Sequence, residues 1–251
     1  MKWILTPDEF ALIWTRETGL ERRPYPLDTG PAGPGSPEGA PELRHRYVRR
    51  TDPDLGAALA LCARTDTTTV TLYGERTAGP RARRILAFAA VAQQRAGILV
   101  SLPDTVTVLL CPAEQLGREL VEIIGSAPPG RSAPLREPQQ AVLYPDAGVT
   151  GEISAVRAVD ERVRRSDPAR DADRLRNADS FRRKLREPVD GRGFITVTVE
   201  PANPLSPPTR HRTWLDFSGD GRYLLTTAAD LSLTPVSDDE LAAQLEHLAR
   251  V

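Results

Sequence analysis

Thr209-Arg-His-Arg-Thr-Trp-Leu-Asp-Phe-Ser-Gly-Asp-Gly-Arg-Tyr-Leu-Leu-Thr-Thr227, followed by Asp230-Leu-Ser-Leu-Thr-Pro235 and a segment opening Ser237-Asp-Asp-Glu-Leu241, reads as strand, tight turn, strand, strand, helix. Asp220-Gly221 between two β-prone runs predicts a two-residue hairpin turn, because both central residues of that turn take positive φ, which Asp and Gly tolerate. Ser237 with Glu240 three residues on forms a capping box, and Val236 and Leu241 sit where its hydrophobic staple would be. The same order of elements occurs earlier in the chain. Ile98-Leu-Val-Ser-Leu102, Thr105-Val-Thr-Val-Leu-Leu110 and a helix from Pro112 to Ile124 line up with it at a constant offset, so that Leu116 corresponds to Leu241 and Leu120 to Leu245. Such a duplication predicts one domain over residues 1–251, with similar halves over about 1–125 and 139–251. A segment rich in proline, glycine and serine, 126–138, joins them.

Composition narrows the possible partners. Apolar residues at 40% and charged residues at 27% are enough for a core in a chain of 251 residues. A net charge of -1 gives no overall attraction to nucleic acid or anionic membrane. No apolar run is long enough to cross a bilayer, and the opening run before Asp8 is too short for a signal-peptide core, so the expected location is the cytosol. Cys62 and Cys111 are far apart in sequence, without the spacing of a metal clip or a disulfide framework, and read as small buried apolar residues.

Upstream of the repeat, Thr6-Pro-Asp-Glu9 opens a helix with a capping box and a proline at its first position. Phe10, Ile13 and Trp14 share one face of it. Arg23-Pro-Tyr-Pro-Leu27 predicts an extended segment. Residues 28–41 read as a solvated loop and 43–50 as a short edge strand. Asp52-Pro53 begins a helix burying Leu55, Ala58, Leu59 and Cys62. Thr67 to Tyr73 and Arg84 to Gln94 read as strands joined by a turn-rich loop from Gly74 to Arg81. In the second half, 155–186 is polar and predicts two helices interrupted at Asp167-Pro168, with Leu175, Ala178, Phe181 and Leu185 as the best apolar stripe. Phe194 to Glu200 alternates Ile195, Val197 and Val199 with threonines and matches Thr69 to Leu72.

None of the familiar chemical motifs is complete. Asp216, Ser218 and Asp220 with Gly221 imitate the start of a calcium loop, but the twelfth position, which needs a bidentate Glu, is Thr227, and the flanks are strands. His45, His211 and His247 have no ligand spacing. There is no phosphate loop and no Gly-x-Ser-x-Gly elbow. No cofactor or metal is expected. The arginines between 157 and 186 are interleaved with acidic residues and accompanied by a single aromatic, Phe181, which favours a salt-bridged helical face over a nucleic-acid surface.

Three stretches carry a family resemblance: Leu5-Thr-Pro-Asp-Glu-Phe-Ala-Leu-Ile-Trp14, Arg23-Pro-Tyr-Pro-Leu27, and Trp214-Leu-Asp-Phe-Ser-Gly-Asp-Gly-Arg-Tyr-Leu224. In this order, and across nearly the whole chain, they resemble the EspG family of actinobacterial type VII (ESX) secretion. The resemblance implies an α+β fold in which a central antiparallel sheet, built from two pseudo-two-fold-related halves, is flanked by helical bundles. It implies a cytosolic chaperone, not an enzyme, that binds the tip of a PE–PPE-like heterodimer, shields its apolar end and delivers it for secretion. Unbound, it would be a monomer or weak dimer. Carried onto this sequence, the family's contact loop is Arg76, Thr77, Ala78, Gly79, Pro80, Arg81 and Ala82, and the helical contacts fall broadly on Leu175, Ala178, Phe181, Leu185 and the final helix. The residues alone leave two other readings open: an enzyme with a dispersed acidic and arginine site, or a regulatory nucleic-acid-binding module using 157–186.

Overall fold

The computed structural model describes residues 1–29, 52–78, 81–143, 168–199 and 209–249. The expected strand over 43–50, the first of the two helices expected over 155–186 and most of the loop over 28–41 lie outside them. Ten strands form one sheet in which every neighbouring pair is antiparallel. In chain order these are β1 (Lys2–Leu5), β2 (Thr68–Ala78), β3 (Arg81–Ala92), β4 (Arg95–Ser101), β5 (Val106–Pro112), β6 (Leu135–Pro138), β7 (Val189–Thr198), β8 (Thr209–Phe217), β9 (Gly221–Thr227) and β10 (Asp230–Pro235). Their order across the sheet is β1-β5-β4-β3-β2-β7-β8-β9-β10-β6. The two halves therefore run outward from β2 and β7, each ending on a four-residue edge strand. At the centre Thr71 pairs with Thr196, which stands at the same sequence offset as the pairs Leu116/Leu241 and Leu120/Leu245. The repeat seen in the sequence is thus a two-fold relation in space.

Among the described residues six helices cover the sheet: α1 (Pro7–Thr18), α2 (Pro53–Ala63), α3 (Leu116–Ile124), α4 (Gln139–Leu143), α5 (Pro168–Leu185) and α6 (Asp238–Ala249). Both expected capping boxes form. Thr6 Oγ1 accepts from Glu9 N–H at 3.2 Å while Glu9 Oε2 accepts from Thr6 N–H at 2.8 Å, and Ser237 and Glu240 repeat the pattern at the same two distances. Val236 and Leu241 are both buried in one cluster, as a staple requires.

The two duplicated helices, α3 and α6, lie side by side on one face. Leu116, Leu120, Val121 and Ile124 meet Leu241, Ala242, Leu245 and Leu248 over Val70, Leu72, Ile98, Ile195 and Val197. Alternation along the strands sends Ile195, Val197, Val70 and Leu72 to this face and the intervening threonines to the other. Gly117 lets the helices approach: a Cβ there would stand 2.1 Å from the Ala242 carbonyl oxygen. On the opposite face, α1 and α2 bury Phe10, Ile13, Trp14, Leu55, Leu59 and Cys62 against Phe88, Leu99, Val106 and Val108 in the first half. In the second half, Val142 of α4 and Phe181 of α5 pack on Phe217, Tyr223, Leu231 and Leu233.

Several expectations are corrected. Gly74 to Arg81 is not a loop, because β2 continues to Ala78 and β3 starts at Arg81, with Ala78 paired to Arg81. Gly74 belongs in the strand because it faces an indole: with Gly193, its pairing partner, it forms a slot for Trp214, whose ring lies 2.6 Å and 2.0 Å from where their Cβ atoms would be. The β8–β9 connection is a three-residue loop, Phe217 pairing with Gly221. Asp220 N–H donates to Phe217 O, and positive φ falls on Gly219 (73°) and, as expected, on Gly221 (142°), with Asp220 outside that region. Arg23 to Leu27 is a turn, with a cis Tyr25–Pro26 bond and Leu27 N–H donating to Pro24 O, not an extended run. The helix expected from Pro112 starts at Leu116, after a 3₁₀ turn, because Pro112 still belongs to β5. The edge strands and α4 were too short to register as patterns.

Gly117→Ala should lower stability by about 2 kcal/mol, since the added methyl group forces the α3–α6 pair apart. In urea titrations the midpoint falls while the slope is kept.

Candidate partner-binding surface

Between the two helical clusters the sheet face is open. There β2 and β7 present half-buried Thr69, Thr71, Thr196 and Thr198 together with three large exposed rings: Tyr25 (52% exposed), Tyr73 (43%) and Phe194 (60%). Tyr73 and Phe194 are a cross-strand pair, and Tyr25, from the turn after α1, stacks on Tyr73 with centroids 6.3 Å apart and 19° between planes. The Glu75–Arg192 ion pair, at 2.7 Å, closes the strip on the side of the β2–β3 hairpin. An aromatic strip on an otherwise threonine-lined face is an apolar platform that none of the described residues covers.

The hairpin tip and α5 meet this strip at one end. Gly191, near the start of β7, pairs with Arg76, and only residues 186–188 separate β7 from the end of α5. Of the sequence-predicted contact residues, Thr77 and Ala82 are exposed on the hairpin, while Ala78 and Arg81 close its ladder. Gly79 and Pro80 lie outside the described residues. Arg76 is half-buried and turned toward α3: Nη2 donates to Ser126 O at 2.7 Å and Nη1 to Ile124 O at 3.3 Å. Leu175 belongs to α5. Ala178 and Phe181 are fully buried, and half-buried Leu185 packs on the same cluster, so this stripe holds α5 to the sheet. The face α5 turns to solvent is instead Arg176, Asn177, Asp179, Ser180 and Arg183. Tyr73 and Phe194 escaped the sequence reading, although both stand out of phase with the apolar residues of their strands and so had to point to the open face.

Two charge clusters fix the frame of this surface. Arg222, 0% exposed, donates Nε and Nη2 to the two carboxylate oxygens of Asp216 at 2.7 and 2.9 Å, Nη1 to Asp238 at 2.8 Å, and Nη2 also to Gly125 O at 2.6 Å. That one side chain ties β8 and β9 to the start of α6 and the end of α3. The second cluster anchors α5. Lys184 Nζ donates to Asp220 at 2.6 Å and to Glu187, and lies 4.3 Å from the Phe217 ring centroid. Burial pushes the Asp220 carboxyl up, but the hydrogen bond from Lys184, the Arg131 N–H and the Tyr223 hydroxyl outweigh it and bring it down to about 2. The two carboxylates of the calcium-loop imitation, Asp216 and Asp220, therefore serve internal cations, and the Ser218 hydroxyl donates to Asp190 at 2.6 Å. Buried thiols complete the picture: desolvation pushes Cys62 up to about 12 and, with the nearby Glu119 charge, Cys111 up to about 11. Both are poor nucleophiles. Open hollows of about 490 and 890 Å³ flank α3, and no group of three or more potential metal ligands occurs among the described residues. No helix among them is long and apolar enough to cross a membrane.

The family model for the EspG family matches residues 6–247. The chain belongs to the EspG family. Among solved structures it is similar to that of the Mycobacterium tuberculosis type VII secretion system chaperone EspG5 in complex with the PE25–PPE41 dimer. The TM-score is 0.57 at 12% identity, over 99% of this chain and 95% of that one. At that identity the likeness speaks for the fold alone. No curated protein matches the sequence significantly. The Trp214-to-Leu224 stretch that suggested the family supplies, in this EspG-family chain, the indole of the glycine slot and the Asp216–Arg222 pair.

Arg222→Met, which leaves buried Asp216 with only the more distant Arg76 guanidinium at 3.7 Å, should destabilise the fold by about 3 kcal/mol or more in chemical denaturation. The Lys184–Asp220 anchor has a defined pH signature. Because the folded carboxyl sits at about 2 against an ordinary 3.8, its contribution is complete above about pH 4 and is lost as the pH falls toward 2. Asp220→Asn should flatten the acid limb of unfolding free energy against pH between those values.

Proposed function

We propose that this EspG-family protein is a cytosolic type VII secretion chaperone that binds a PE–PPE-like heterodimer, shields its apolar tip and delivers it for secretion, without catalysing a reaction. The observation that carries the reading is the exposed Tyr25–Tyr73–Phe194 strip, which no described residue covers and whose end at the Glu75–Arg192 pair lies next to the β2–β3 hairpin and the end of α5. Large rigid rings on a platform flanked by polar groups suit a site that takes up an apolar, self-associating end, because they bury area at low cost in side-chain order. Family membership and the similarity to a chaperone solved with a PE–PPE dimer support the same reading. Thr77 on the hairpin and Asn177 and Arg183 on α5 would form the polar rim of the contact. The inert cysteines and the internally paired carboxylates fit a binding role.

Co-expression with a PE–PPE-like pair from the same genome should yield one complex on size exclusion, and separate elution of chaperone and pair would refute the proposal. Replacing Tyr73 and Phe194 together by Ala should weaken the complex by about 2 kcal/mol in calorimetry, as loss of central aromatic anchors does, with the fold intact by circular dichroism.

A further inference from the structure

We propose that Arg76 is the positioning residue of the β2–β3 hairpin: it acts through α3 to aim the tip at the partner and does not itself touch the partner. The inference rests on the reading that the tip is a contact loop. The hairpin outruns its neighbours. On one side β7 pairs with β2 only as far as Arg76, and on the other β4 pairs with β3 only as far as Leu86. Beyond those points the tip is a two-stranded ribbon, and such a ribbon is marginal in water without further support.

That support comes from helix chemistry. The last carbonyls of an α-helix have no partner within it and carry the negative end of its dipole. At the end of α3, Arg76 takes Ile124 O and Ser126 O, and Arg83, directly opposite Arg76 in the ladder, takes Ile123 O at 3.1 Å. Two like charges facing each other across a hairpin would ordinarily repel. Here both are turned onto one helix terminus, and Arg76 Nη1 also lies 3.7 Å from Asp216, the carboxylate that Arg222 holds. The channel for the side chain is cut by two glycines. A Cβ on Gly125, whose φ is +97°, would stand 2.6 Å from Arg76 Nη1, and one on Gly191 would stand 3.4 Å from Arg76 Cγ and 2.9 Å from Asp216. The buried Arg222 cluster thus continues through Asp216 and Arg76 to the residue next to the tip, Thr77. Holding the ribbon in one direction before binding removes an ordering cost from association.

The test compares wild type, Arg76→Gln and Arg76→Lys for affinity toward the purified PE–PPE pair, for amide hydrogen exchange at residues 77–82, and for exchange in β4 and β5 as a check that the core is intact. Arg76→Gln should quicken exchange at the tip and weaken binding about tenfold, mainly through a slower association rate, with β4 and β5 unchanged. Arg76→Lys, which keeps the charge and can reach one carbonyl, should recover part of both. If wild type binds and Arg76→Gln binds equally well, or if the loss is confined to the dissociation rate with the tip still protected, the positioning role is overturned while the chaperone reading stands. If wild type does not bind the pair, both fall.

Discussion

A guanidinium wholly withdrawn from water must be met by carboxylates and carbonyls on every side, and the groups that meet Arg222 come from widely separated parts of the chain: Asp216, Asp238 and the end of α3 at Gly125. Desolvating such a charge is expensive, so the arrangement holds only if all of these segments arrive together. It is therefore a condition on assembly more than a source of stability. Asp216 is shared with Arg76, and Asp238 also accepts from Ser126 Oγ and the Ala127 N–H. A single cluster thereby fixes the start of α6, the exit from α3 and the root of the hairpin. These are the junctions around which the two halves close.

How much of this could be read in the sequence depended on the range of the interaction. Local signals were dependable: Thr6 and Ser237 as caps, the alternation of Ile195, Val197 and Val199, and the repeat that places α3 beside α6. Where a distant residue decided the local conformation, the reading failed. Gly74 looked like a turn because nothing nearby in sequence announces the Trp214 ring that lies against it. Asp220 looked like a turn residue taking positive φ, whereas Gly219 takes that conformation and Asp220 is drawn to Lys184. The candidate surface was half legible. The sequence pointed to the hairpin and α5 as contact elements, and of the residues it named, Ala178 and Phe181 lie on the inner face of α5 and Arg76 is an internal anchor.

The two-fold relation also shows where the halves differ. Both carry helices on the same face of the sheet, yet α1 and α2 bury three large side chains, Phe10, Ile13 and Trp14, from α1 alone, while α5 holds on mainly through Phe181 and the Lys184 anchor. Duplication supplied a symmetric scaffold, and the proposed contact surface is built from its asymmetries.

The two ends of the sheet have a consequence of their own. A ten-stranded antiparallel sheet could offer a long backbone edge on each side to any stray strand, and so template growth from its own margins. Here each margin is only four residues long: Lys2–Leu5 on one side, and on the other Leu135–Pro138, which ends in a residue that cannot donate. A protein proposed to sit beside sticky clients gains from margins this brief, since a meeting between crowded copies finds almost no ladder to extend.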